Sequence, residues 1–387
     1  MPPITHADYT GILDRDVTRA LILSEMPNLA PVYTMLEAGE RRKRTLSEKF
    51  EWQVSSVSAV RTLIDNVGAA YDAATTTLVV DSTTGIYPDA QVLCEATGEV
   101  IHVTSITNAT TMVVVRGIGS VIAGAAGSVA NNASLQVIAH AAGEGGVAPN
   151  ERHATVSTKS NWVQQYKYAV AISGRAAAVA AKTEDERLRQ RQVKLREAVQ
   201  GAERSFLFGA GDNDTTGSES KRVTSSAGLF QAISTNVLAQ GGTMTWLAFD
   251  NFLRDYGFVA GHDEKWLMAG PTLQGTLHEL FKGKMDVANL SEAAGLDIKR
   301  YHSPYGAVNI VLNRAFKGVY AGHGLLLDRD QLFARDLERE QGGMMHLVPD
   351  IQEKAEDAKR DMWCGEFGLE WGDETRHAKI TGVTGPA

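Results

Sequence analysis

Between residues 70 and 145 the chain carries seven charged side chains in 76 positions: Asp72, Asp81, Asp89, Glu95, Glu99, Arg116 and Glu144. There is no lysine among them, and Thr, Val, Ala and Gly dominate the rest. Short β-branched runs recur at Thr77–Val80, Glu99–Val103, Met112–Val115 and Leu135–Ile138. Turn signals separate them at Thr84-Gly85, Thr97-Gly98, Thr107-Asn108 and Asn131-Asn132. Short strands at this spacing predict a small antiparallel barrel or sandwich. Few charges and many small side chains suit a compact module with closed edges. The flanking sequence is built differently, so 70–145 reads as a domain inserted into another.

The whole chain of 387 residues has 38 Lys and Arg against 46 Asp and Glu, a net charge of −8, with 43% apolar and 22% charged residues. That is a globular composition with chain enough for two or three units. The acidic balance argues against a protein built mainly to coat nucleic acid. Cys94 and Cys364 are the only cysteines. Two thiols make neither a disulfide framework nor a four-ligand metal cluster. No run approaches the ~18 apolar residues of a membrane-spanning helix. The start, Met1-Pro2-Pro3-Ile4-Thr5-His6, has neither the basic nor the apolar region of a signal peptide. The expectation is a soluble intracellular protein.

Residues 1–45 read as an irregular arm, broken by Pro2, Pro3, Pro27 and Pro31, with room for one short helix over Ile12–Leu23. Nothing in it demands burial in its own domain. Arg41, Arg42, Lys43 and Arg44 form a basic cluster. Such a run is ordinarily a solvated face; its sharper reading is contact with an acidic neighbouring subunit or with phosphate. In 46–68, Phe50, Trp52 and Val54 alternate as in a strand, whereas Val57, Val60, Ile64 and Val67 fall nearer a helical period. Residues 150–182 return to extended character around Trp162–Val170, with Lys159, Lys167 and Arg175 supplying positive charge. Paired with 46–68, they form a long β-hairpin carrying the insert at its tip.

Residues 183–208 give the strongest helix signal. Thr183 is placed to cap, with Glu184, Asp185 and Glu186 in the first turn, where the helix dipole favours anions. Leu188, Leu195, Val199, Ala202 and Phe206 make one apolar stripe, and Gly209 stops the helix. Gly209–Ser220 reads as a polar loop. Helices are expected over Trp246–Val259 and Pro271–Phe281, with a buried strand over Lys265–Gly270 between them. Strands are expected at Ile298–His302, Ala307–Asn313, Gly318–Ala321, Asp361–Trp371 and His377–Val383, and a charged helix over Arg335–Glu340. This alternation describes an α+β unit.

A catalytic constellation is absent from the pattern. The ten histidines are scattered, without HExxH or an i, i+4 pair. His102 reads as an ordinary strand histidine, and Cys364 as a small core residue. Neither Gly117-Ile118-Gly119-Ser120 nor Gly209-Ala210-Gly211-Asp212 makes a phosphate loop, and Asp328-Arg329-Asp330 reads as a salt-bridged turn. No catalytic, cofactor-binding or metal-binding residue is assigned, and a non-enzymatic protein is expected.

The order of parts is the informative feature. Asn161–Tyr166 through Ala169–Gly174 looks like the second strand of an extended loop. Leu195–Val199 through Glu203–Gly209 looks like a spine helix, and Gly365–Glu370 like a closing strand. Gly98–Val103 with Val115-Arg116-Gly117 looks like a barrel carried in the loop. Together these resemble the major capsid proteins of tailed bacteriophages, with the HK97-like fold, in the family that inserts a β-barrel in the extended loop. The resemblance implies an α+β capsid fold with an N-terminal arm at 1–45 and an extended loop at 46–182 holding the insert at 70–145. It implies a peripheral domain at 183–240 and 345–387, with the spine helix at 183–208, and an axial domain at 241–344.

It also implies partners: copies of the chain in hexamers and pentamers of an icosahedral shell, and non-specifically packaged double-stranded DNA. A portal, a separate scaffolding protein and minor capsid or cement proteins complete the set, with no membrane. Assembly would take place in the host cytoplasm and the product would be the virion. A long helical scaffolding segment is not expected at the start, so scaffolding is expected from a separate protein or to be dispensable. Arg41, Arg42, Lys43, Arg44, Lys159, Lys167 and Arg175 are expected to meet acidic surface on adjacent subunits, with Glu184, Asp185 and Glu186 as candidate partners. The insert is expected to lock neighbouring subunits. The rival readings are an encapsulin-like bacterial compartment shell and a phage tail or surface-adhesion protein.

Overall fold

The computed structural model describes residues 30–38, 41–55, 61–118, 127–141, 143–144, 156–175, 186–217, 220–281, 288–293, 296–337, 344–353 and 357–387. Two compact units divide the chain: Met1–Trp52 with Thr158–Ala387, here the body, and Gln53–Ser157, the insert. Among the described residues the body opens with helix α1 (Pro31–Ala38), then β1 (Arg42–Thr45) and β2 (Lys49–Ser55). The insert holds β3 (Arg61–Leu63), β4 (Thr77–Val79), β5 (Ala90–Cys94), β6 (Val100–Ile106), β7 (Thr111–Val115) and β8 (Ser134–His140). The chain returns through β9 (Val156–Trp162) and β10 (Gln164–Ser173) to the long helix α2 (Glu186–Phe208).

After α2 come β11 (Asp212–Thr216), β12 (Arg222–Ser225), the short α3 (Leu229–Ala232), β13 (Val237–Ala239) and β14 (Thr243–Met244). Helix α4 (Trp246–Phe252) runs into a π-helical turn, Leu253–Gly257, before β15 (Glu264–Ala269) and α5 (Pro271–Phe281). The remainder is β16 (Ala288–Ala293), β17 (Leu296–Ser303), β18 (Gly306–Leu312), β19 (Gly324–Leu327), β20 (Phe333–Leu337), β21 (His346–Val348), β22 (Ala358–Glu370), β23 (Ala378–Thr381) and β24 (Gly385–Pro386).

The body has two main sheets. The first runs β1-β20-β22-β10, with β21 also on β22. Its spine is the antiparallel ladder from Gln164↔Phe367 to Ser173↔Ala358. Helix α2 packs on this sheet through Ala198, Ala202, Phe206 and Leu207. The Tyr166 and Phe206 rings meet Phe367 at centroid distances of 4.6 and 5.6 Å, a spacing that favours aromatic pairs. The second sheet runs β13-β23-β19-β15-β18-β17-β16. Its centre, β15, is buried at five successive positions, Lys265 to Ala269, as a strand covered on both faces must be. Phe249, Phe252, Leu267, Leu277, Tyr301 and Ile310 form the core between that sheet and α4 and α5. The Thr245 hydroxyl caps α4, accepting the Ala248 N–H at 3.0 Å, one of the donors a helix start leaves unpaired.

The insert is one six-stranded antiparallel sheet, β3-β8-β5-β6-β7-β4. Its first and last strands meet across an Ile64↔Val80 bridge. There the Asp65 N–H donates to Val79 O and the Asp81 N–H to Leu63 O, both at 3.0 Å. The sheet thus closes on itself around Ile64, Leu78, Val92, Ile101, Met112 and Leu135. At that bridge neither strand offers a free edge to another chain. The compact unit is wider than 70–145 because β3 precedes that range. Ile64, expected on a helical period, is a barrel-core residue, and Val67 is 98% exposed in a turn with φ of 46°. Strand β2 pairs with β9, joining the 46–68 and 150–182 stretches.

Other expectations change on contact with tertiary structure. Arg335–Glu340 is not a helix where described: Phe333–Leu337 is a strand held between β1 and β22. Gly318–Gly322 is a 3₁₀ turn rather than a strand, and β19 follows it. The stretch Gly209–Ser220, expected as a polar loop, holds β11, which pairs with β12 just beyond it. The apolar stripe of α2 is shorter than expected, since Leu188 is 52% exposed. The arm also has a buried part: Val32, Tyr33, Met35 and Leu36 of α1 are buried. The possible helix at Ile12–Leu23 lies outside the described residues.

Candidate assembly contacts

Strand β1 lies parallel to β20 with Arg42 opposite Ala334, Lys43 opposite Arg335 and Arg44 opposite Asp336. That register brings the basic cluster to acids of its own chain. Arg41 pairs with Asp330 and donates from Nη1 to Arg329 O at 2.8 Å. Arg42 Nε donates to Asp336 Oδ2 at 2.7 Å, and Lys43 Nζ to Glu370 Oε1 at 2.7 Å. The Lys43 ammonium also sits 3.5 Å from the Phe333 ring centre, within cation–π range. Arg44 is exposed, and its charge acts on Asp336. Burial pushes the Asp336 carboxyl up, against the opposing pull of Arg42 and Arg44. Arg41, Arg42 and Lys43 therefore weld β1 into the body sheet.

The other expected cations behave differently. Lys159 on β9, Lys167 on β10 and Arg175 just beyond β10 are all exposed. Among the described residues none of the three has an ion-pair partner. Lys167 alternates with the buried Tyr166 and is opposite Cys364 in the β10–β22 ladder, whereas Lys159 lies in the run 156–160 of β9 that is exposed throughout. Glu184 and Asp185 lie outside the described residues. Glu186 opens α2 and is engaged by Arg189 and by Gln190 Nε2 at 2.7 Å. The Arg189 and Gln190 hydrogen bonds hold its carboxyl down to about 2. Glu186 is thus bound to its own helix.

Two organising acids escape sequence reasoning. Asp361 on β22 accepts Arg187 Nη2 at 2.6 Å and Arg191 Nε at 2.8 Å. The Arg187 hydrogen bond, outweighing burial, leaves this carboxyl far below the ordinary range. It clamps the first turns of α2 to the sheet, and Trp363 Nε1 adds a 2.9 Å bond to Arg191 O. Glu203, fully buried on the packed face of α2, accepts backbone N–H groups of α1. The one available signal for Glu203 was a charged residue interrupting the Ala202–Phe206 stripe.

His262, Asp328 and Asp330 place ligand-type atoms within 4.8 Å of one another. Asp328 is, however, taken up by His262 and by the Asp330 N–H at 3.1 Å, and Arg41 occupies Asp330. The group reads as a hydrogen-bonded turn, in keeping with the salt-bridged turn expected at 328–330.

The SU10 major capsid protein family model matches residues 4–384. The chain belongs to that family. No curated protein matches it. Solved structures similar to this capsid protein include that of Mycobacterium phage Cain, at 10% identity and a TM-score of 0.50 with 98% of each chain covered. The capsid of a native GTA particle matches at 6% identity and 0.50, covering 99% of this chain and 100% of the other. The holo-SrpI encapsulin complex of Synechococcus elongatus matches at 11% identity and 0.45, over 59% and 78%. The capsid protein has the HK97-like fold, and its role is structural: it is a major capsid protein of a tailed phage.

Proposed function

We propose that this capsid protein builds an icosahedral shell of hexamers and pentamers around double-stranded DNA, through contacts made by its extended loop. In this reading 46–182 is the extended loop, 183–240 with 345–387 the peripheral domain, and 241–344 the axial domain. The observation that carries it is the contrast between two sets of cations. Arg41, Arg42 and Lys43 are satisfied within the chain, whereas Lys159 on β9, Lys167 on β10 and Arg175 just beyond β10 are exposed without ion-pair partners among the described residues. Exposed cations on and just after extended strands are what an acidic neighbour would neutralise, and copies of a chain with net charge −8 supply such surface. Heterologous contacts of this kind close into rings, and weak ones gain strength by repetition.

The acidic balance also suits a container whose DNA must slide, since a cationic wall would hold phosphate. Assembly is placed in the host cytoplasm with a separate scaffolding protein and a portal, and the role involves no enzymatic step. The closed insert is assigned to locking neighbouring subunits. The test is a charge reversal of Lys159, Lys167 and Arg175 to Glu, with particles counted by electron microscopy. Loss of closed particles with a folded subunit is expected; wild-type yields would overturn the proposed contacts. Deleting 72–143 across a short linker should lower the heat resistance of the shells, and unchanged resistance would reject the locking role. Nucleic acid inside the particles separates a genome container from an encapsulin-like cargo compartment.

A further inference from the structure

Five acids are buried among the described residues: Glu99, Glu203, Asp328, Asp361 and Glu370. Arg116 serves Glu99, and Arg187 with Arg191 serve Asp361. Lys43 and Arg335 serve Glu370, and His262 with Arg376 flank Asp328. Glu203 has no cation among the described residues. Its three hydrogen bonds come from neutral donors: Val32 N–H to Oε1 at 3.2 Å, Tyr33 N–H to Oε2 at 2.8 Å and Asn313 Nδ2 to Oε1 at 2.7 Å.

Val32 and Tyr33 follow Pro31 in the first turn of α1, where backbone N–H groups have no partner in their own helix. A side chain 170 residues away therefore caps the helix, while Asn313, just after β18, anchors the same carboxylate from the second sheet. Three elements remote in sequence meet on one group. We propose that Glu203 is a proton-operated latch, clasping α1 onto α2 and loosening its hold as the solution becomes more alkaline. The proposal concerns the subunit itself and does not rest on the assembly contacts above.

The sign follows from what surrounds the group. On α1 the titratable residues are Tyr33 and Glu37, and burial followed by Glu37 drives the Tyr33 phenol above its ordinary range. From β10 come Tyr166, Tyr168 and Lys167. From β22 come Lys359, Arg360, Asp361, Glu366 and Glu370, and α3 brings no ionisable residue. Beyond β18, neutral Asn313 is followed by Arg314. On α2 itself the nearest neighbour in sequence, Arg204, is exposed. None of these forms an ion pair with Glu203 among the described residues. Burial thus dominates, and the carboxyl is pushed up from an ordinary 4.5 to about 7, against the pull of its three donors.

With α1 released and Glu203 in water, the ordinary value returns. Docking therefore takes up a proton between these two values. The helix is held most firmly below pH 4.5, and the hold weakens as pH rises through about 7. A difference of this size limits the change in docking equilibrium to ~10²-fold.

The test is hydrogen exchange in α1 of the full-length unassembled subunit at pH 5.5 and 8.0, expressed as protection relative to intrinsic rates. Wild type should lose roughly tenfold or more protection at the higher pH, and Glu203→Gln should show a flat profile. Equal pH dependence in the two proteins, or protection that rises with pH in wild type, would overturn the latch. Should the Gln variant not fold, Asn313→Ala decides: removing one donor to the carboxylate should move the midpoint to higher pH, and an unmoved midpoint rejects the proposal.

Discussion

Glu99 in the insert and Glu203 in the body are both fully buried glutamates, yet they are perturbed in opposite directions. Burial pushes each of them up. At Glu99 the Arg116 guanidinium reverses that, donating to both carboxylate oxygens at 2.6 and 2.7 Å, with the Gly117 N–H at 2.9 Å, and the carboxyl ends below its ordinary value. At Glu203 only neutral dipoles are offered and the carboxyl ends near 7. Burial alone does not decide the charge state; the presence of a cation does. The pairing also explains the feature that sets the insert apart. A closed sheet of small strands has little interior to spare, and its buried guanidinium is spent on its buried acid. Arg116 further donates to Asp72 O at 3.0 Å and Gly127 O at 2.6 Å, so one guanidinium ties several loops of the insert together.

The harshest way to break this comparison is Arg116→Met. It strands a charge in the barrel, and losing one partner of a buried pair costs ~3–5 kcal/mol. Denaturant unfolding followed by exchange within 61–118 should show the loss in the insert, with α1 protection unchanged. Adding Glu99→Leu should recover most of it, because an apolar pair of similar volume is often neutral or better than the ion pair. A cost below ~1 kcal/mol for the single change would mean that Arg116 does not set the state of Glu99.

Acid titration is expected to move the two regions in opposite directions. Glu99 has a depressed folded-state value, so its contribution is present above its ordinary 4.5 and is lost as pH falls below that. Glu203 has a raised value, so its contribution is present below 4.5 and lost as pH climbs through about 7. Segment-resolved exchange from pH 7.5 down to 4 should therefore show α1 tightening while the insert, near the bottom of the range, begins to loosen. The Glu203 swing amounts to ~3 kcal/mol at most, since each tenfold change in proton affinity is worth about 1.4 kcal/mol. Parallel responses in both regions would undo the assignment.

Asp361→Asn sharpens the comparison by asking whether the region or the cation matters. Asp361 belongs to the body, like Glu203, but has two arginines, where Glu99 has one. Its replacement should cost ~2 kcal/mol, the range for hydrogen bonds to charged groups, and should flatten the acid dependence near α2's start. No loss in thermal unfolding would show that the Arg187–Asp361–Arg191 clamp is decorative.

The elements legible in the sequence were those whose signal is local. The turn-punctuated runs of the insert, the long α2, the buried Lys265–Ala269 strand and the Pro271–Phe281 helix carry their period within a few residues. What escaped depended on remote partners. Phe333–Leu337 is charged enough to resemble a helix, but β1 on one side and β22 on the other dictate a strand. The first turn of α1 is capped by Glu203, itself braced by Asn313, both far along the chain, and no pattern near residue 31 announces them. The basic cluster at 41–44 looked available because its acids, Asp330, Asp336 and Glu370, arrive only through the β1–β20–β22 order.

The smallest effect expected is at Leu188, and it tests whether helical period alone decides which residues of α2 are packed. Counting by helical period places Leu188 with Leu195, Val199, Ala202 and Phe206. In the folded subunit only the second half of that face is packed, because the first turns are held by arginines reaching Asp361 instead of by apolar contact. Leu188→Gln should therefore change the stability of the isolated subunit by no more than ~0.5 kcal/mol, as exposed substitutions do. Ala202→Gln, one face of the same helix, would put an amide against the sheet and cost several times more. Should Leu188→Gln leave the subunit intact but reduce particle yield, the exposed leucine would belong to a contact between copies. The same residue would then be explained by assembly where folding leaves it unused.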